Sequence, residues 1–85
     1  MRYFFHTEDG QCFPDEEGSE LPDLQSACIE ATKALGEFMR EKPKAFWEHD
    51  CLTLKVADAE GLVLFTLDLS VTLAAAMNGR HPPIV

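Results

Sequence analysis

Basic side chains are scarce in this 85-residue chain: seven Lys and Arg stand against fifteen Asp and Glu, a formal net charge of −8. A surface that tracks phosphates needs clustered cations, and the one cluster, Arg40, Lys42 and Lys44, also holds Glu41. It reads as a helix C-terminus, where cations complement the dipole. No nucleic-acid partner is expected. Long apolar runs are missing too. None reaches the ~18–20 residues that a bilayer span requires, and "MRYFFHTEDG" turns acidic too early for a signal peptide. The expectation is no membrane partner and a cytoplasmic location. Paired cysteines are also absent. Cys12, Cys28 and Cys51 form no C-x-x-C and read as reduced thiols in small apolar positions, so no structural disulfide is expected.

Recognisable reaction chemistry is equally thin. No serine lies in a G-x-S-x-G context. Cys28 falls on an apolar helix stripe, where a thiol is inert. Cys51 pairs with His49 only at a strand start, away from any helix N-terminus. The carboxylates of "DEE" lack an apolar pocket that would separate their proton affinities. The sole metal-like set is His49, Asp50 and Cys51 with His6 and Cys12 from the first hairpin. His49 and Cys51 would point the same way on a strand, but structural zinc takes four ligands in paired spacings. The sequence therefore assigns no catalytic residue, no cofactor and no metal ligand.

What is present is a fold. Hydrophobic residues make up 46% and charged residues 26%, ordinary for a globular chain. A chain this small buries roughly 60–65% of its unfolded surface, a thin core that dimerisation would reinforce. "RYFFH" reads as a strand apolar on both faces. Asp9-Gly10 reads as a type I′ hairpin turn, and "CFPDE" as a short return strand closed by Pro14. "DEEGSELPDL" fails as a calcium loop: with Gly18 at the obligatory glycine, Phe13 and Leu24 occupy ligand positions. It reads instead as a turn at Gly18 and a helix N-cap at Asp23. Apolar residues then recur at Leu24, Ala27, Cys28, Ala31, Leu35, Phe38 and Met39, one helix stripe ended by Pro43. Glu37 lies at helix spacing from Lys33 and next but two to Arg40.

"KPKAFWEHD" reads as a connection in which Trp47 either covers the helix end or stays exposed. The strands follow: Leu52, Leu54 and Val56, a turn at "DAEG", then Val63, Phe65, Leu67, Leu69, Val71 and Leu73 in strict alternation. A four-residue loop with Gly61 left-handed would set Val56 opposite Val63, Leu54 opposite Phe65 and Leu52 opposite Leu67. Strand is expected to about Thr72, then a turn or short helix, with "GRHPPIV" irregular.

"RYFFH", "DEEGSELPDL", "QSACIEATKAL" and the hairpin residues Val56, Asp58, Gly61, Leu64 and Leu67 together resemble a family of small uncharacterised bacterial proteins, a domain of unknown function. The resemblance spans residues 2–69; it implies the element order and supplies no activity. A looser similarity, resting on residues 21–34, is to HicB-like antitoxins, whose partial ribonuclease-H-like fold also runs from a hairpin through "P-D-L" into an alanine-rich helix.

The resulting expectation is an α+β fold, ββαββ, with one antiparallel sheet packed on a single amphipathic helix. It comprises one domain over residues 1–73 and a tail over 74–85. The second sheet face would stay partly bare, with Phe4, Leu62 and Leu64 pointing into it. Those three, with Leu69, Val71 and Leu73 on the overlong last strand, form the expected interaction surface. The functional expectation is a non-enzymatic interaction module that forms a homodimer. The alternatives are an antitoxin-like or regulatory protein whose acidic surface holds a basic protein partner, and a small enzyme or metal-binding protein.

Overall fold

The computed structural model describes residues 1–77. It is an α+β fold: one open antiparallel sheet of five strands and two helices. The strands are β1 (Arg2–Glu8), β2 (Cys12–Phe13), β3 (Ser19–Glu20), β4 (Cys51–Ala57) and β5 (Val63–Ser70). The helices α1 (Leu24–Glu41) and α2 (Pro43–His49) lie between β3 and β4. The expected ββαββ order is thus corrected on two counts. Ser19 and Glu20 add a strand too short to carry an alternation. Residues 43–49, read as a connection, form a second helix.

The sheet order is β2-β1-β4-β5, and β3 shares with β2 the outer edge of β1. β1 is therefore central. Phe5 lies opposite Val56 and Thr7 opposite Leu54, so these side chains and Tyr3 share the face on which α1 packs. Tyr3, Leu54 and Val56 make the core there with Ala27 and Ala31 of α1. Both alanines are fully buried. With no side chain beyond Cβ, they let the helix axis come close to the sheet.

Local chemistry accounts for the helix ends. The Asp23 carboxylate accepts from Ser26 N at 2.8 Å, the N-cap expected from sequence. Lys42 N–H closes α1 on Phe38 O at 2.8 Å. Pro43 then begins α2 as its first residue, a position where the missing N–H would have had no helical partner anyway. The same proline thus ends one helix and starts the next. Asp50 caps α2 in the left-handed region, φ 58°, and donates its N–H to Phe46 O. Phe46 is buried, and its ring meets that of half-buried Trp47 edge-on at 6.0 Å. α2 lies on β4, where Leu52 is wholly buried.

The buried stripe of α1 is narrower than its sequence suggests. Ala27 and Ala31 are buried and Leu35 and Phe38 half-buried, whereas Leu24 and Cys28 are exposed. Cys28, expected on the buried side, sits on the stripe's open flank. Lys33 pairs with Glu30 at 3.6 Å, not with Glu37.

Two turns also differ from expectation. Thr7 faces Phe13 and Glu8 faces Cys12, leaving three loop residues of which only Gly10 has positive φ. A type I′ turn would need two. In the last hairpin the partners are Val56↔Phe65, Leu54↔Leu67 and Leu52↔Leu69, a slip of two residues from the expected register. The loop is five residues, 58–62, because the Asp58 carboxylate accepts from both Glu60 N and Leu62 N at 2.9 Å. A β-bulge then follows: Ala57 pairs Val63, but Val56 pairs Phe65. A slip of two preserves the side-chain alternation, so the apolar faces still agree. Residues 71–74 are irregular and Ala75–Met77 form a 3₁₀ turn. The expectations for Asn78 and "GRHPPIV" lie outside the described residues.

Candidate functional site

The acidic segment has a specific task in the fold. β2 covers β1 at Thr7 and Glu8, and β3 covers it at Arg2 and Tyr3. Between them Pro14 ends the ladder, and the side chain of Asp15 takes its place. Phe5 N donates to Asp15 Oδ2 at 3.2 Å, and Asp15 N donates to His6 Nδ1 at 3.0 Å. Asp15 Oδ1 accepts from Glu17 N and Gly18 N at 3.2 and 3.0 Å. One carboxylate thus joins the strand to the loop that would otherwise leave it. His6 accepts through Nδ1, so its proton sits on Nε2 in this arrangement. Burial pushes the Asp15 carboxyl up, but the N–H donors of Gly18, Phe5 and Glu17 outweigh it and hold the group below the ordinary range. The Asp23 carboxyl is lowered by Ser26, first through its backbone N–H.

Gly18 supports this arrangement. Its φ is 74°, and a Cβ there would lie 2.9 Å from both Phe4 Cε2 and Tyr3 O. Phe4 in turn stacks on His6, centroids 6.5 Å apart and planes 12° from parallel. "DEEGSELPDL" is therefore a strand substitute followed by a helix cap, both built from aspartates.

The metal-like residues are not assembled. His49 ends α2, Asp50 caps it and Cys51 opens β4, so His49 and Cys51 do not share a strand as expected. The His49 ring instead lies over the first hairpin, where a Cβ on Gly10 would come within 2.5 Å of its Nδ1. No three His, Cys, Asp or Glu side chains converge to hold a cation among the described residues. Cys12, Cys28 and Cys51 are all exposed. No cavity opens among those residues. Of the basic cluster, Lys42 Nζ sits over the Phe38 ring at 5.7 Å, as a cap on the helix junction. No helix among the described residues is long and apolar enough to cross a membrane.

The remaining candidates concern contact. Phe4 lies on the face away from α1, beside His6, Lys55, Thr66 and Asp68, so that face is largely polar. Leu62 is 63% exposed in the hairpin loop. Leu64 departs from expectation: the bulge re-aims it, and it packs half-buried against the core cluster. Leu69, Val71 and Leu73 are half-buried, Leu69 on the helix-bearing face opposite Leu52.

What the strands leave open is an edge. β5 spans eight residues, and among the described residues no strand pairs with its outer side. Within "VLFTLDLS" there is no proline or lysine to blunt it, and its one charge, Asp68, accepts from Thr53 Oγ1 at 2.8 Å across the polar face.

Sequence reasoning missed Asp15 and the bulge. The signal for Asp15 was its place directly after Pro14, with Gly18 three residues on, the spacing of a carboxylate turned back on its own loop. No curated protein and no solved structure matches the chain. Residues 2–70, most of the molecule, match the family described as Domain of unknown function (DUF6894), and the chain belongs to that family.

Proposed function

We propose that the protein is a non-enzymatic interaction module that self-associates into a homodimer, with the outer edge of β5 as its contact. The observation that carries this reading is the full-length, unblunted edge of β5. A strand in that position presents a row of main-chain donors and acceptors that another strand can satisfy. The opposite edge of the sheet is already occupied by β2, Asp15 and β3. Phe65, Leu67 and Leu69 are half-buried along the free edge, so a neighbour there would also remove apolar surface from water. Two-fold homodimers are the commonest symmetric assembly.

Light scattering coupled to size exclusion tests the reading. A mass twice that of the 9.5 kDa chain is the expected result. A monomer that persists at high micromolar concentration overturns it.

A further inference from the structure

The main-chain directions along β5 specify how two copies would meet. Val71 N donates to Asp50 O at 3.0 Å, which makes residues 71 and 50 a hydrogen-bonded pair. The register is unbroken from Cys51↔Ser70 to Val56↔Phe65, so the pairs alternate from that point. Leu69 and Leu67 therefore bond across to β4. Thr66, Asp68 and Ser70 turn their N–H and C=O groups outward. The close approach of Thr53 Oγ1 to Asp68 Oδ1 fits a narrow, non-hydrogen-bonded pair.

We infer that β5 pairs antiparallel with β5 of a second copy, with Leu67 opposite the partner's Leu67. This rests on the self-association proposed above and adds its register. A two-fold axis normal to a continuous sheet sets one residue opposite itself, which leaves three central choices. An axis at Asp68 would oppose two carboxylates, which repel. An axis at Thr66 would set Asp68 against the partner's Leu64, a charge against an apolar side chain beside the bulge. An axis at Leu67 sets Asp68 against the partner's Thr66, whose hydroxyl is a donor, and Phe65 against the partner's Leu69. The outward groups of Thr66 and Asp68 then make about four main-chain hydrogen bonds. The apolar pairs all fall on the helix-bearing face and the polar pairs on the other. The second copy is the occupant this pattern fits, because the segment is complementary to itself when reversed.

Cysteine cross-linking of the full chain tests the register, in a background carrying Cys12→Ser, Cys28→Ser and Cys51→Ser. Opposed residues of a non-hydrogen-bonded pair have Cα atoms about 4.5 Å apart, within disulfide range. Leu67→Cys is expected to yield a disulfide-linked dimer under mild oxidation. Thr66→Cys and Asp68→Cys, each two residues out of register with itself, should give at least about tenfold less. Faster linkage at either of those positions overturns the register.

Thr66→Pro supplies an independent reading. The lost N–H points away from β4, so the fold seen by far-ultraviolet circular dichroism should persist. Dimer affinity should fall about a hundredfold, one hydrogen bond lost from each copy at about tenfold apiece. A Thr66→Pro variant that dimerises like the parent overturns edge pairing. A parent dimer that links through the wrong position refutes the register while self-association stands. A parent that stays monomeric, with residues 78–85 covering the edge among the ways this could arise, refutes both.

Discussion

At the scale of single residues, the molecule turns on carboxylates used as pieces of backbone. Asp15 satisfies donors from Phe5, Glu17 and Gly18 at once, and Asp58 does the same for Glu60 and Leu62. Asp15→Ala leaves partly buried N–H groups without a partner and should cost about 1–3 kcal/mol in urea unfolding. Asp15→Asn, whose amide oxygen still accepts, should recover most of that. The carboxyl of Asp15 is lowered in the folded state. Its contribution is therefore present above the unfolded value, near pH 4, and is lost as pH falls through the folded value. Stability measured down through that window should decline less steeply in Asp15→Asn than in the parent. Gly18→Ala should destabilise by more than about 1 kcal/mol, because positive φ and contact with the Tyr3 carbonyl oppose any Cβ. Asp23 was readable in the sequence as a cap from its place before an apolar stripe. Asp15 was not, since nothing in a linear pattern shows that a neighbouring strand has run out.

Among the elements, alternation and helical period carried the reading where the runs were long. β1, α1, β4 and β5 each span seven residues or more and were legible. β3 has two residues and α2 seven, too few for a period to show. Pro43 was read as a stop because a proline ends a helix; its equal suitability at a first helical position was the overlooked half of the same fact. The hairpin register slipped because Asp58 lengthens the loop, and the bulge then brought Leu64 to the core side. The free edge of β5 followed from its length, already apparent against the shorter "CLTLKVA". Leu52 is the strongest anchor of α2 on the sheet, being wholly buried. Leu52→Ala should cost about 2–5 kcal/mol by denaturant titration, while Leu52→Met should stay below about 1.5.

For the molecule as a whole, a thin core and a high charge oppose one another. The largest fully buried side chains are Tyr3, Leu52 and Val56, and the long helix α1 buries only two alanines completely. A chain with so little interior gains from any further apolar contact. Its net charge of −8 works against that contact, because two copies repel. Screening relieves the repulsion. Raising ionic strength from about 0.02 M to about 0.5 M should tighten the dimer, as read by sedimentation equilibrium. A dimer held by ion pairs would loosen instead, so the direction of the salt effect separates the two cases.

The interruption of the sheet at Pro14 and Asp15 governs what happens after two copies have joined. Once the β5 strands are paired, the only rims left are those where two-residue strands flank a side-chain carboxylate. Such a rim has neither the length nor the donor row to template another chain. Growth should therefore terminate at two, and a protein with a bare eight-residue strand should remain free of fibrils.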